Sequence, residues 1–180
     1  MEALTKPDFL RLLAVAKKAS ERDWLMLLLH FWHAGRASEI VDLTRDNFVG
    51  SFIKFDRGKG SESCDQALVE HKNPLLNERA AVFAYLQTVH GKQKLFPMSR
   101  TTYWRHFRRH AAAAGIDPGV LRFNGTRALK HCIGTYMIEK APVNAVQRRM
   151  GHVNGANTLR YAKLRENQVD ELVADSVGIS

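Results

Sequence analysis

Ser20 to Ile40 reads SERDWLMLLLHFWHAGRASEI, and this stretch decides the architecture. Ser20 is a helix-capping residue type, and Glu21 and Asp23 put carboxylates in the first turn, where the helix dipole favours negative charge. The run WLMLLLHFW that follows is apolar on nearly every face, so the helix through about His33 is expected to be central and covered all round. Trp24 to Leu29 is the longest apolar run, far below the roughly 20 residues a membrane span needs. Gly35 is expected to break the helix, and Ser38 to Leu43 reads as a further short helix.

Upstream, Thr5-Lys6-Pro7-Asp8 is another helix start, with Thr5 to cap, Pro7 in the tolerant first turn and Asp8 on the dipole. That helix should run to about Lys18. Downstream the period changes. Ser51 to Phe55 reads as a strand, Gly58-Lys59-Gly60-Ser61 as a turn and Gln66 to Glu70 as a return strand. Helical patterning resumes over Leu75 to His90, Ser99 to Ala114, Thr126 to Glu139, Pro142 to Met150 and Asn157 to about Lys163. In Ser99 to Ala114 the residues Tyr103, Phe107 and Ala111 share one face, and Arg105, Arg108 and Arg109 another. Val169, Leu172, Val173 and Val177 form an apolar stripe on a short terminal helix. The fold class is α+β, mainly α-helical, with one small antiparallel sheet of about three strands at its edge.

The charge is unevenly spread. Residues 1–91 carry 12 basic and 12 acidic side chains, residues 92–165 carry 15 and 2, and residues 166–180 carry four acidic and no basic ones. Such a basic excess in one half points to a polyanion, nucleic acid first. An anionic membrane surface is weaker, because no basic amphipathic helix with an aromatic face stands out. The opening MEALTKPDFL lacks a secretion signal, and two cysteines, Cys64 and Cys132, make a disulfide scaffold improbable. The loop at Gly58 lacks the first glycine of a phosphate-cradling P-loop. No Cys/His spacing suits zinc. His106 and His110 are four apart on one helix, but no glutamate of a zinc-protease motif lies between them.

One constellation carries chemistry. His33-Ala34-Gly35-Arg36-Ala37-Ser38-Glu39-Ile40 sets an arginine at the end of the buried helix. Met150-Gly151-His152 then precedes Tyr161 by nine residues, in MGHVNGANTLRYAKL. In these boxes, in their order and in their spacing, the chain resembles the catalytic domain of the tyrosine site-specific recombinases, the phage-integrase family. The resemblance covers essentially residues 5–165. It implies a catalytic domain over 1–165 and, at 166–180, a tail helix able to contact a neighbouring subunit.

The resemblance also implies a site. Arg36 matches the family's first arginine, Lys59 the hairpin lysine, His152 the histidine of the third box and Tyr161 the nucleophile. The second box, normally H-x-x-R, is Arg127-Ala128-Leu129-Lys130 here. Arg127 therefore stands where a histidine is usual, and Lys130 where the second arginine is usual. Glu39 and His131 are expected to support the site from behind, Glu39 by bracing Arg36 or a backbone group. Arg105, Arg108 and Arg109 are expected to contact DNA phosphates. Tyr85, Tyr103 and Tyr136 read as core.

The implied activity is DNA strand cleavage and rejoining through a 3′-phosphotyrosyl link, needing no metal and no cofactor. The alternative is a DNA-binding relative with impaired catalysis, because lysine in place of arginine gives up a planar two-pronged contact. The implied partner is double-stranded DNA, with a tetramer of the full-length protein on it and a monomer in isolation. No membrane is involved, and the expected location is cytoplasmic, on the nucleoid. Family members usually carry a separate N-terminal DNA-gripping domain, so the chain is expected to be a fragment or a short member.

Overall fold

In a computed structural model, residues 4–55, 64–119, 127–159 and 161 are described. Helix α1 spans Lys6–Ala19, and the Thr5 side chain accepts from Asp8 N at its start. Helix α2 spans Glu21–His33, and Ser20 caps it by accepting from Asp23 N. These are the starts the sequence predicts.

Helix α2 is the centre of the molecule. Leu25 to Leu29 are at most 1% exposed, and every residue from Asp23 to Phe31 is buried. Burying each such Leu or Met side chain is worth about 1.5–3 kcal/mol. Phe31 stacks on Phe9 of α1 at 3.9 Å between ring centroids. The indoles of Trp24 and Trp32 donate to the carbonyls of Leu75 and Leu76 at 3.1 and 3.2 Å, so both ends of α2 hold the segment that leads into the helix starting at Glu78.

The helix break falls one residue earlier than expected. Ala34, not Gly35, takes the left-handed conformation, with φ 49° and ψ 32°. Gly35 serves another purpose, since a Cβ there would sit 3.0 Å from Cδ1 of Ile40. Its small size lets the α2–α3 corner close. Helix α3, Ala37–Val41, follows at once and stops two residues short of the expected Leu43.

A single 3-10 turn, Arg45–Asn47, leads into an antiparallel sheet of order β1-β2-β3, formed by Phe48–Val49, Phe52–Phe55 and Cys64–Ala67. The third strand begins two residues before the predicted return strand. Its limits are fixed by pairing, with Phe52 opposite Ala67 and Phe55 opposite Cys64. Ile53 and Phe55 point into the core, while Phe52 and Lys54 face out.

Helix α4, Glu78–Leu86, is shorter than the predicted Leu75 to His90, and its later start is set by Asn77, which caps it by accepting from Ala80 N. Helix α5 is Arg100–Ala113, capped by Ser99. Tyr103, Phe107 and Ala111 are fully buried on one face, and Arg105, Arg108 and Arg109 are exposed on the other. Helix α6 spans Arg127–Ile138, α7 Val143–Met150 and α8 Ala156–Leu159. Gly151 ends α7 with φ 63°, a left-handed cap that glycine adopts without steric cost. The expected tail helix over 166–180 lies outside the described residues. Among the described residues, no helix is long and apolar enough to cross a membrane. The fold is mostly helical with one small sheet, as its sequence implies.

Candidate active site

Helix α6 packs between α2 and α7 and carries the second box on its first turn. Arg127 is exposed there, and Lys130, one turn on, is half-buried. The Lys130 ammonium donates to the carbonyl of Met150 at 3.0 Å. It therefore holds the last residue of α7, immediately before Gly151 and His152.

Tyr161 returns to the same helix. Its hydroxyl lies 2.6 Å from Nδ1 of His131, thirty residues away in the chain. The two rings are tilted against each other at 5.7 Å between centroids. Gly134, one turn further along α6, makes room for this approach. A Cβ at that position would stand 2.9 Å from Sδ of Met150 and 3.1 Å from Cε1 of Tyr161. A glycine in a helix interior costs about 1 kcal/mol against alanine, and here it lets Tyr161 and Met150 lie close on α6.

His152 is half-buried, and its Nδ1 lies 2.9 Å from the hydroxyl of the fully buried Thr158. The backbone of His152 is held by one residue at both its polar groups. Gln147 O accepts from His152 N at 3.1 Å, and Gln147 Nε2 donates to His152 O at 3.0 Å. Imidazole orientation is thus set from behind, as second partners set it in metal and proton-transfer sites.

Arg36 is exposed at the α2–α3 corner. Its guanidinium donates to Glu39 Oε1 at 2.7 Å, and its backbone N–H donates to Oε2 of the same carboxylate, also at 2.7 Å. Glu39, only 8% exposed, aligns the arginine and caps α3 together. The hairpin residue Lys59 lies outside the described residues.

A polar network that no local sequence pattern predicts runs beneath these groups. His33, the last residue of α2, lies with Nδ1 2.8 Å from Gln66 Oε1 and Nε2 2.6 Å from Glu78 Oε1. All three side chains are buried. Glu78 Oε2 accepts from Val69 N at 2.8 Å, and Gln66 Nε2 donates to the carbonyl of Arg149 at 3.2 Å. Because the Gln66 amide nitrogen faces Arg149, its oxygen faces His33, so His33 Nδ1 carries a proton and donates. Arg149 in turn donates from Nε to Trp32 O at 2.7 Å. The end of α7 is thereby tied to β3, to α4 and to the end of α2.

The charges on α6 act on the nearby imidazoles. Burial, then the charges of Lys130 and Arg127, lower the basicity of His131 below the ordinary histidine value. His30 of α2 is pushed down to about 3, by complete burial first and by Lys130 second, against an opposing hydrogen-bond contribution from the Gly35 backbone. Both imidazoles are therefore neutral at pH 7. His106 and His110 do not form a metal pair with each other. Both nitrogens converge on Oδ2 of Asp23, each at 2.8 Å. Among the described residues, no group of three or more His, Cys, Asp or Glu side chains is placed to hold a metal ion.

The sequence profile of the Phage integrase family matches residues 2–168. The chain belongs to that family. Among curated relatives it is similar to the tyrosine recombinase XerD of Xanthomonas campestris pv. campestris. They are 30% identical over 195 residues, covering 96% of this chain and 58% of the relative. The chain spans about three fifths of the length of the curated relatives it matches first. Of solved structures, the XerA recombinase superposes with a TM-score of 0.75 at 18% identity, covering 98% of this chain and 65% of XerA. A lambda integrase dimer bound to a COC′ core site superposes with a TM-score of 0.72 at 16% identity, covering 92% of this chain and 50% of the integrase. The fold is therefore that of a tyrosine recombinase catalytic domain.

Proposed function

We propose that this chain breaks and rejoins DNA strands in site-specific recombination, with Tyr161 as nucleophile. The observation that carries the reading is the meeting of Tyr161, His131, Lys130 and the His152 box around α6. A phenol that attacks phosphorus keeps the phosphate bond energy in a 3′-phosphotyrosyl link, so strand exchange needs neither ATP nor metal. The pentacoordinate transition state gathers negative charge on its non-bridging oxygens, which fixed donors stabilise. Arg36, aligned by Glu39, supplies a planar pair of donors. His152 supplies another when the Thr158 hydroxyl donates to Nδ1 and the ring proton rests on Nε2. Arg127 supplies the second fork and Lys130 the second positive charge, a permuted version of the family's second box. Lys59 gives the leaving 5′ oxygen its proton as general acid. The freed 5′ hydroxyl of another strand reverses the step.

Double-stranded DNA is the partner, with Arg105, Arg108 and Arg109 on the exposed face of α5 as phosphate contacts. Such contacts make affinity fall steeply with salt. Self-association as a tetramer of the full-length protein on DNA, a domain boundary near 165, a tail helix at 166–180 that reaches a neighbouring subunit, and a DNA-associated location in the cytoplasm belong to the same reading.

A second reading is favoured by one contact. Lys130 spends a hydrogen bond on the Met150 carbonyl, where the usual second arginine would offer its fork to phosphate, so the chain would bind DNA and cut it poorly. Suicide DNA substrates separate the two. A covalent adduct on a denaturing gel that disappears in Tyr161→Phe supports cleavage. Salt-sensitive binding with no adduct supports the binding relative. A double replacement, Arg127→His with Lys130→Arg, raises the cleavage rate if the site is merely detuned.

A further inference from the structure

We propose that His131 is the general base that takes the Tyr161 proton, a role that rests on the reading of Tyr161 as nucleophile. A phenol is a weak nucleophile until its proton leaves, and a candidate base must lie within hydrogen-bond reach of that proton. His131 Nδ1 does, at 2.6 Å from the Tyr161 hydroxyl. The other two polar side chains on this turn of α6 cannot serve. Arg127 is permanently protonated, and Lys130 is an ammonium that donates to Met150 O.

The surroundings of His131 suit the task. Burial and the two flanking cations favour its uncharged form, so the Nδ1 lone pair is available at neutral pH. With the ring proton on Nε2, the Tyr161 O–H donates to Nδ1 in the resting state. The tilted contact between the rings, and the space that Gly134 leaves against Tyr161, keep the phenol on this imidazole.

The step balances. The Tyr161 oxygen forms a bond to phosphorus as its proton passes to His131 Nδ1. The bond from phosphorus to the 5′ oxygen breaks, and that oxygen takes a proton from the general acid of the functional reading. The imidazolium so formed sits beside a phosphoryl group that is gaining negative charge. On rejoining, His131 returns the proton to the phenolate.

The test replaces the need for a base. His131→Gln keeps a hydrogen-bond acceptor but no basic nitrogen, and His131→Asn provides a second such variant should the first not fold. Single-turnover cleavage of a suicide substrate is measured in the chain as it stands. Each protein is prepared once with tyrosine and once with a trifluorotyrosine at position 161, whose phenol is already ionised near neutral pH. The expected result is a loss of about 10²–10⁴-fold with ordinary tyrosine, most of which the fluorinated residue restores. A variant that cleaves within a few-fold of the parent overturns the proposal. So does a loss that fluorination leaves untouched, which would make His131 a packing partner only. If the parent chain gives no adduct with either residue at 161, the functional reading itself fails, and that outcome is distinct from both.

Discussion

Helix α2 carries a buried polar anchor at each end, and the two differ in what they reach. At its N-terminal end Asp23, 1% exposed, accepts from Arg22 at 2.9 and 3.0 Å and meets His106 and His110 of α5 at 2.8 Å. At its C-terminal end His33 meets Gln66 and Glu78, and Gln66 continues to the carbonyl of Arg149, three residues before His152. The first anchor fastens α2 to α5, with the Arg109 guanidinium also 3.7 Å from Asp23 Oδ2. The second fastens the core to the segment that carries a candidate site residue. The same device, a buried charged or polar group with every partner supplied, therefore serves stability at one end and position at the other.

The largest effect is expected at the first anchor. Asp23→Ala strips His106, His110 and Arg22 of their shared acceptor, and removing one partner of a buried ionic cluster costs about 3–5 kcal/mol. Urea unfolding measures it. Adduct formation on suicide DNA should survive at temperatures where the variant is still folded. If it does not, the contrast between the two ends breaks.

The pH dependence follows from the same helix. Burial alone would raise the Asp23 carboxyl, but hydrogen bonds from His110, His106 and Arg22 outweigh it and hold the group well below the ordinary carboxylate range. Its contribution is present above about pH 4 and is lost as pH falls through the native value. His30, between the two anchors, works over a higher window. The unfolded chain takes up that proton near 6.5, whereas the folded chain refuses it until about 3. Stability should thus fall as pH drops below 6.5, by up to about 1.4 kcal/mol per unit. His30→Gln can still bond the Tyr103 hydroxyl, which lies 2.6 Å from Nδ1 of His30, but does not titrate. Denaturant titrations between pH 7 and 4 should show the slope flattened in that variant.

Gln66→Leu tests the second anchor. It removes the two buried hydrogen bonds that Gln66 makes, to His33 Nδ1 and to the Arg149 carbonyl, at about 1–3 kcal/mol. Because the lost bond ends at Arg149, cleavage measured on fully folded protein should slow as well, which Asp23→Ala should not cause. Equal behaviour of the two variants would remove the distinction. Gly134→Ala is smaller still. The added methyl gains helix propensity but presses on Met150 and on the Tyr161 ring. The expected outcome is a roughly tenfold slower adduct, equivalent to about 1.4 kcal/mol, with little change in melting temperature.

What could be read from sequence divides along the same line. Caps at Thr5 and Ser20, the all-round apolar α2 and the buried face of α5 are local or periodic, and they appear where the sequence puts them. Arg36, His152 and Tyr161 stand out through box order and spacing. The contacts of Gln66, Glu78 and Gln147 do not. The contacts of the first two with His33 and Arg149 span 33 to 83 positions, and a lone Gln within a strand or a lone Glu at a helix start has no signature of its own. His131 is visible beside the second box, but its partner, thirty residues on, depends on how α8 returns to α6. The limits of β3 and α4 shifted for a related reason. Strand pairing sets the limits of β3 and the Asn77 cap sets the start of α4, not the extent of the apolar pattern.

The smallest effect lies at the joint between the C-terminal anchor and Arg36. Ala34 holds φ 49°, where its Cβ crowds the following carbonyl, while Gly35, beside it, needs no left-handed freedom and is small because Ile40 is close. The left-handed conformation costs an L-residue roughly 1–2 kcal/mol. Part of that returns when glycine, with its larger unfolded-state entropy, takes its place. Ala34→Gly should therefore stabilise by up to about 1 kcal/mol, whereas Gly35→Ala should destabilise by driving a methyl to 3.0 Å from Ile40. Opposite signs at adjacent positions, read by urea titration, would show that the corner presenting Arg36 is set by conformation at one residue and by contact at the next.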